Sequence, residues 1–152
     1  MKTVFDERTE RNISTLHPRA QEKAREFMGR AMSFIAASGA EVRVIAGLRT
    51  YAEQDALYAQ GRTTPGPRVT NARGGWSNHN FGTAWDIGIF RGGKYLDESP
   101  LYQQLGRVGQ SLGLEWGGAW KSITDEPHFE VKTGLTMAEK RERLASGKDI
   151  FA

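Results

Sequence analysis

Cysteine is absent from the 152 residues of this sequence, and histidine is scarce. Without cysteine, the protein has no disulfides, no thiolate metal site and no cysteine nucleophile. The three histidines are His17, His79 and His128. A metal site in this chain must therefore be built from these imidazoles together with aspartate and glutamate carboxylates.

Long apolar runs are missing as well. No segment approaches the roughly 20 apolar residues that a membrane-spanning helix needs. The N-terminus, residues 1–8, becomes charged too early for a signal peptide, which predicts a chain made in the cytoplasm. No linker, internal repeat or low-complexity segment interrupts residues 1–152, so we predict a single domain.

The charge balance is mildly basic, with a net charge of +3 and a pI near 9.3. Such a balance suits an anionic polymer, either nucleic acid or bacterial cell wall. It also describes an ordinary solvated surface, because the basic and acidic residues are interspersed. The sequence has no basic stripe interleaved with aromatic residues, so we predict no nucleic-acid partner.

Helical periodicity predicts a first helix that begins at Ser14 or Thr15, has Pro18 in its first turn and ends at Gly39. The side chains that this helix buries are expected to be Ala20, Ala24, Phe27, Met28, Ala31 and Ile35. Three further helices are predicted over residues 50–58, 99–112 and 136–145, the first and last of them opened by capping boxes. The apolar stripe of the helix over 99–112 is Leu101, Leu105, Val108 and Leu112.

Strands are predicted where apolar and polar residues alternate. These segments are residues 41–46, 86–90 with a Gly-Gly hairpin turn to 95–96, 114–116, and 128–131. Residues 62–76 form a long loop without apolar periodicity, and loops of that length inside one domain are usually functional or mobile.

His79 and Asp86 are the first candidate site residues, seven positions apart with the small residues Gly82 and Ala84 between them. A neutral imidazole and an ionised carboxylate both bind zinc, and small neighbours let the backbone run close to an ion. A catalytic zinc needs three protein ligands, so this pair requires a third from elsewhere in the chain.

His128 is the third ligand candidate. It alternates with Phe129 on a predicted strand, so its side chain is expected to point away from the core. Asp125 and Glu126 precede it, and either acid could serve as the general base of a hydrolase. His17, next to Pro18, is expected to cap or cover a helix entrance instead of binding metal.

Arg49 lies where a predicted strand gives way to a helix, and it could stabilise an oxyanion. The alternative is a surface arginine paired with a carboxylate, and its position in the sequence alone favours that alternative. Trp116 and Trp120 flank a short glycine-containing loop, where they either line a cleft or cover the core.

The combination Ser77-x-His79-x-x-Gly82-x-Ala84-x-Asp86 with Asp125-x-Pro127-His128-Phe129 resembles the zinc peptidases of the D-alanyl-D-alanine carboxypeptidase and L-alanyl-D-glutamate endopeptidase group. Within that group the chain is most similar to the L-alanyl-D-glutamate peptidases found as bacteriophage endolysins and bacterial cell-wall enzymes. The resemblance extends over nearly the whole chain, from residues 12–18 through 47–58 to 116–120.

This resemblance implies a role for each matching residue. Zinc would be bound by His79, Asp86 and His128, and Asp125 would be the catalytic acid and base, which leaves Glu126 without a chemical role. Arg49 would contact the substrate carbonyl and the developing oxyanion. The remaining matches, Ser77 and Gln54, would be substrate-side positions.

The fold implied by the resemblance is a small α+β domain of the Hedgehog/D,D-peptidase type, with helices on an antiparallel sheet and the zinc site in a cleft. The implied activity is hydrolysis of the L-alanyl-D-glutamate bond of the peptidoglycan stem peptide. The protein would be a monomer without a separate cell-wall-binding domain or integral membrane segment, acting on the wall after release from the host cytoplasm. The alternatives are a D,D-carboxypeptidase or D-Ala-D-Ala dipeptidase with the same zinc site, and a non-catalytic wall-binding module.

Overall fold

The computed structural model describes residues 5–152, which contain five α-helices and five strands. The helices are α1 (Glu7–Ser14), α2 (Pro18–Ile35), α3 (Tyr51–Ala59), α4 (Pro100–Ser111) and α5 (Met137–Ala145). The strands are β1 (Ala40–Ala46), β2 (Ala84–Arg91), β3 (Lys94–Leu96), β4 (Glu115–Trp116) and β5 (His128–Glu130). Short 3-10 helices cover Ala36–Ser38, Asn78–Phe81 and Gly117–Ala119. The predicted α+β class is confirmed.

The five strands form one antiparallel sheet in the order β1-β2-β5-β4, with β3 also paired to β2. Strand β2 is central because it pairs with three neighbours. The predicted hairpin is present: Arg91 pairs with Lys94, and Gly92 and Gly93 between them have φ of 58° and 78°. Positive φ at both turn positions matches the right-handed twist of the strands, which explains the two glycines.

One face of the sheet carries the hydrophobic core, which it shares with α1, α2 and α4. All six residues predicted to be buried in α2 are buried. Phe27 of α2 meets Phe129 of β5 with ring centroids 4.4 Å apart, and Trp85 of β2 lies 6.3 Å from Phe27. Because side chains alternate along a strand, the burial of Trp85 and Phe129 turns their neighbours Asp86 and His128 to the opposite face.

The predicted helix start at Ser14 or Thr15 is wrong. Ser14 is the last residue of α1, a helix that the sequence analysis missed because most of its residues are polar. Helix α2 begins at Pro18, and the Nδ1 atom of His17 accepts a hydrogen bond from the Arg19 N–H at 3.1 Å. The capping role expected for His17 is therefore confirmed.

The buried stripe of α4 is shifted from its predicted position. Leu105 is buried as expected, but Leu101, Val108 and Leu112 are only partly buried and pack at the edge of the core. The centre of the stripe includes Tyr102, Gly106 and Gly109. At these glycines, aromatic rings from the sheet press against the helix backbone: a Cβ on Gly106 would lie 2.2 Å from the Trp116 ring, and one on Gly109 2.6 Å from Phe129.

No helix within residues 5–152 is long and apolar enough to cross a membrane. The charged N-terminal segment on which the signal-peptide prediction rests begins at residues 1–4, which lie outside the described part of the chain.

Candidate metal centre and active-site cleft

Two of the three predicted metal ligands face each other across a pair of strands. Asp86 of β2 and His128 of β5 are direct partners in the antiparallel register. His79 comes from the 3-10 helix Asn78–Phe81, which ends at Gly82 with φ of 69°. A Cβ on Gly82 would lie 2.9 Å from the backbone nitrogen of His17, so glycine meets both a conformational and a steric requirement there.

The three side chains converge on one point. The Oδ1 atom of Asp86 lies 3.3 Å from Nε2 of His79 and 3.2 Å from Nδ1 of His128. The candidate ligand atoms of all three residues lie within 4.8 Å of one another. His79 and His128 are 2% and 5% exposed, so the cluster is held in a largely dry environment.

Hydrogen bonds on the far side of each ring fix which nitrogen faces the cluster. Nδ1 of His79 donates to the carbonyl of Gly47 at 2.8 Å, and Nε2 of His128 donates to Oε1 of Glu130 at 2.8 Å. In the neutral tautomers, both inward nitrogens then present lone pairs to the carboxylate of Asp86. Three lone-pair donors aimed at one point fit a divalent cation, and a two-histidine, one-carboxylate set suits zinc.

The pKa values of Asp86 and His128 are shifted because these groups lie close together in the cluster. Burial opposes the charged form of Asp86, yet the two facing histidines lower the pKa of this carboxyl below its ordinary value. For His128, burial acts against the charged form, but hydrogen bonds to Asp86 and Glu130 raise the pKa to about 9. The cluster therefore attracts positive charge strongly, as a metal site must.

Arg49 lies between β1 and α3 and lines the cleft. Its backbone N–H donates to the His79 carbonyl at 3.0 Å, and its Nη2 donates to Oδ2 of Asp86 at 3.0 Å. The pairing with a carboxylate that was weighed as the alternative to a functional role is thus present. The carboxylate, however, belongs to a predicted metal ligand, so the pairing brings Arg49 into the site.

Gln54, expected from the resemblance to be a substrate-side position, lies behind the wall of the cleft. It is 1% exposed and is not among the residues that line the cleft. Its Oε1 accepts a hydrogen bond from Arg49 at 3.3 Å, and its Nε2 donates to the carbonyl of Ala72 at 2.9 Å. The Gln54 side chain thus connects Arg49 to the long loop over residues 62–76, on the side away from the cleft. Ser77 does line the cleft, and its hydroxyl accepts from the His79 N–H at 3.2 Å.

The structure separates the two acids that sequence spacing could not. Asp125 lines the cleft, and its Oδ2 lies 4.0 Å from Nδ1 of His128. Burial, followed by the nearby charge of Asp86, raises the pKa of Asp125. Glu126 does not line the cleft, and its backbone carbonyl accepts a hydrogen bond from Nε1 of Trp116 at 2.7 Å. Asp125 therefore has the position and the basicity that a proton acceptor needs.

The cleft around these groups has a volume of about 650 Å³. Its walls include exposed apolar side chains, namely Val69, Trp76, Trp120 and Ile123. The ring of Trp120 lies 4.8 Å from that of His128, whereas Trp116 packs against the core. Trp120 therefore lines the cleft, and Trp116 covers the core.

Glu130 is one residue at this site that sequence reasoning missed. It bonds His128 directly and lines the cleft. The available signal was its alternation with Phe129, which places Glu130 on the same face of the strand as His128.

Two histidines and an aspartate converging beside a second carboxylate, in an open cleft, define a metal-dependent hydrolase. Comparisons with known proteins agree. The family model described as D-alanyl-D-alanine carboxypeptidase matches residues 70–131. The chain is 38% identical over 128 residues to the peptidoglycan L-alanyl-D-glutamate endopeptidase CwlK of Bacillus subtilis, covering 78% of this chain and 74% of CwlK. The chain therefore belongs to the metallopeptidase family of D-alanyl-D-alanine carboxypeptidases and L-alanyl-D-glutamate endopeptidases.

Solved structures show the same fold. The L-Ala D-Glu endopeptidase ChiX of Serratia marcescens is 25% identical with a TM-score of 0.61, over 88% of this chain and 92% of ChiX. The vancomycin-resistance D,D-pentapeptidase VanY, solved in complex with Zn(II), is 17% identical with a TM-score of 0.53, over 89% of this chain and 81% of that one. The predicted D,D-peptidase-like fold is confirmed.

Proposed function

We propose that this protein is a zinc-dependent peptidoglycan peptidase that hydrolyses the L-alanyl-D-glutamate bond of the stem peptide. The observation that carries the proposal is the convergence of His79, Asp86 and His128 beside Asp125 in a chain 38% identical to an L-alanyl-D-glutamate endopeptidase. The mildly basic composition, with a net charge of +3, suits an anionic wall polymer.

The chemistry divides between the ion and the protein. Zinc held by Nε2 of His79, Nδ1 of His128 and the carboxylate of Asp86 would act as a Lewis acid in the cleft. Asp125 takes a proton from the attacking water and delivers it to the leaving amine nitrogen as the peptide C–N bond breaks. The Arg49 guanidinium, held in place by Asp86 and Gln54, stabilises negative charge on the carbonyl oxygen. Ser77 lies at the cleft wall, where we place it as a substrate contact.

Product analysis tests the bond assignment. Purified peptidoglycan is digested with the zinc-loaded protein, and the soluble fragments are identified by mass spectrometry. New N-terminal D-Glu is the expected product. The family model described as D-alanyl-D-alanine carboxypeptidase favours a second candidate, a D,D-carboxypeptidase or D-Ala-D-Ala dipeptidase. Loss of terminal D-Ala alone would establish a D,D-carboxypeptidase, and hydrolysis of free D-Ala-D-Ala would establish a dipeptidase. No cleavage of either substrate would leave a non-catalytic wall-binding module.

The biological setting is a further part of the proposal and rests on the resemblance to bacteriophage endolysins. In that setting the protein is a monomeric single-domain enzyme, made in the host cytoplasm, which lyses the cell after it is released to the wall. Expression in a Gram-negative bacterial host with and without an export signal tests this setting. Lysis only on export supports this setting, and size-exclusion chromatography with light scattering checks the monomer.

A further inference from the structure

Lys140 is a buried cation for which the proposed chemistry has no use. It lies in α5 and is 6% exposed. Its Nζ donates a hydrogen bond to Oδ1 of Asn78, the residue directly before the metal ligand His79. Lysine is almost never buried to this extent unless it is paired, so the contact points to a specific role.

Two further hydrogen bonds connect Asn78 to His128, the other histidine ligand. Nδ2 of Asn78 donates to Oε2 of Glu130, and Oε1 of Glu130 accepts from Nε2 of His128 at 2.8 Å. Lys140, Asn78, Glu130 and His128 therefore form one hydrogen-bonded chain. It runs from the C-terminal helix to a ring that faces the metal position.

The direction of each hydrogen bond in this series is fixed by the chemistry of its groups. An ammonium can only donate, so Lys140 requires the carbonyl end of the Asn78 amide. The amino end of that amide then points at Glu130, whose carboxylate can only accept. Glu130 in turn holds the proton of His128 on Nε2 and leaves Nδ1 with its lone pair toward Asp86. Lys140 and Glu130 therefore hold the Asn78 amide from its two ends, the ammonium at the carbonyl oxygen and the carboxylate at the amino group.

A second residue of α5 also contacts the segment that precedes His79. The Nη1 atom of Arg141 donates to the carbonyl of Gly75 at 3.0 Å, and its guanidinium stacks on Trp76 at 4.0 Å from the ring centroid. Residues 75–78, which lead into His79, are thus attached to two consecutive residues of α5. The family model ends at residue 131, before this helix begins.

We propose that Lys140 is a positioning residue for the metal centre. Through Asn78 and Glu130 it fixes the ring orientation and tautomer of His128, and it fastens α5 to both segments that carry histidine ligands. The inference rests on the metal site of the proposed function but not on the substrate. Outer-shell partners of this kind typically change metal affinity by about 10–100-fold when removed.

The test compares Lys140→Met with Lys148→Met. Met replaces each lysine with a side chain of similar length and no charge, and Lys148 is exposed just beyond α5. Zinc affinity is measured by competition with a chromogenic chelator, and the visible spectrum of the Co(II)-substituted protein reports ligand geometry. We expect Lys140→Met to weaken zinc binding about tenfold or more and to alter the Co(II) spectrum. Lys148→Met should change neither.

Two additional variants interrupt the same series of hydrogen bonds at other residues. Asn78→Asp retains an acceptor for Lys140 but removes the donor toward Glu130, so it should also weaken zinc binding, even if Lys140→Met does not fold. In a Glu130→Gln background, Lys140→Met should add less than about twofold, because both changes interrupt one chain. Unchanged zinc affinity in the folded variants, or fully additive effects, would overturn the proposal. Because zinc binding is measured without substrate, a failed peptidase assay would count against the proposed function alone.

Discussion

The two carboxylate oxygens of Asp86 face different partners. Oδ1 faces the two histidines, and Oδ2 accepts a hydrogen bond from Arg49 at 3.0 Å. One side chain thereby joins the metal position to the proposed oxyanion group. This arrangement keeps Arg49 oriented before substrate binds, which is the condition for electrostatic stabilisation without reorganisation.

The assignment of the base gives the first prediction. Asp125→Asn should lower kcat about 100-fold or more, because the amide cannot accept the proton from water. Bound zinc should stay at the parent level, since Asp125 is not among the three clustered ligands. The matched control is Glu126→Gln, which removes the neighbouring charge outside the cleft and should retain activity. Equal activity of the Asn variant and the parent protein would refute the role of Asp125.

The raised pKa of Asp125 gives a second prediction, on pH dependence. A base must be unprotonated to act, so kcat/KM should fall as the pH drops through the pKa of this group. Burial and the charge of Asp86 raise that pKa, so the fall should begin at a higher pH than for an exposed aspartate. The profile is measured with bound zinc checked at each pH, because protonation of the histidines also releases metal. A flat profile down to pH 4 would contradict the prediction.

How well the site could be read from the sequence differs between residues. The three ligands were predictable because histidine is so scarce and because strand alternation turns His128 away from the core. The place of Gln54 was not, because a family motif records the residue but not whether its side chain faces the cleft or the interior. Lys140 and Asn78 are 62 positions apart, and a lysine on a charged helix carries no pattern that distinguishes it from a solvated one.

Among the secondary-structure elements, α4 shows most directly how packing overrides periodicity. Its leucines and valine at helical spacing predicted the buried stripe, but the closest packing occurs at Gly106 and Gly109. The missing side chains make room for Trp116 and Phe129, and this demand comes from the sheet, not from the helix. Capping boxes were more dependable, because the cap at Thr50 and the cap at Thr136 each form within four residues.

The close approach at Gly106 gives a third prediction. Gly106→Ala should destabilise the fold by about 1–3 kcal/mol, because the new Cβ would lie 2.2 Å from the Trp116 ring. The control is Gly29→Ala in α2, where nothing lies within 4 Å and helix propensity favours alanine by about 0.5–1 kcal/mol. Thermal unfolding should show opposite shifts in Tm. A stabilised Gly106 variant would mean that Trp116 moves without cost.

For the whole molecule, removing the metal gives a fourth prediction. A chelator should abolish peptidase activity and lower Tm, and zinc should restore both. Saturation at about 100 times Kd stabilises a folded protein by about 2.7 kcal/mol when the unfolded chain does not bind. His128→Ala should lose the zinc response. His17→Ala, which changes a histidine at a helix entrance, should keep it. Parent protein that retains full activity after verified zinc removal would contradict the metal assignment.

The pairing of Asp86 with His128 also bears on how the chain folds. The two residues are 42 positions apart, so their strands meet only after a large loop has closed. The metal position therefore does not exist until β2 and β5 are in register, and zinc cannot act as a folding nucleus. Bound metal should leave the refolding rate nearly unchanged and slow unfolding instead, so that zinc extends the lifetime of the native enzyme.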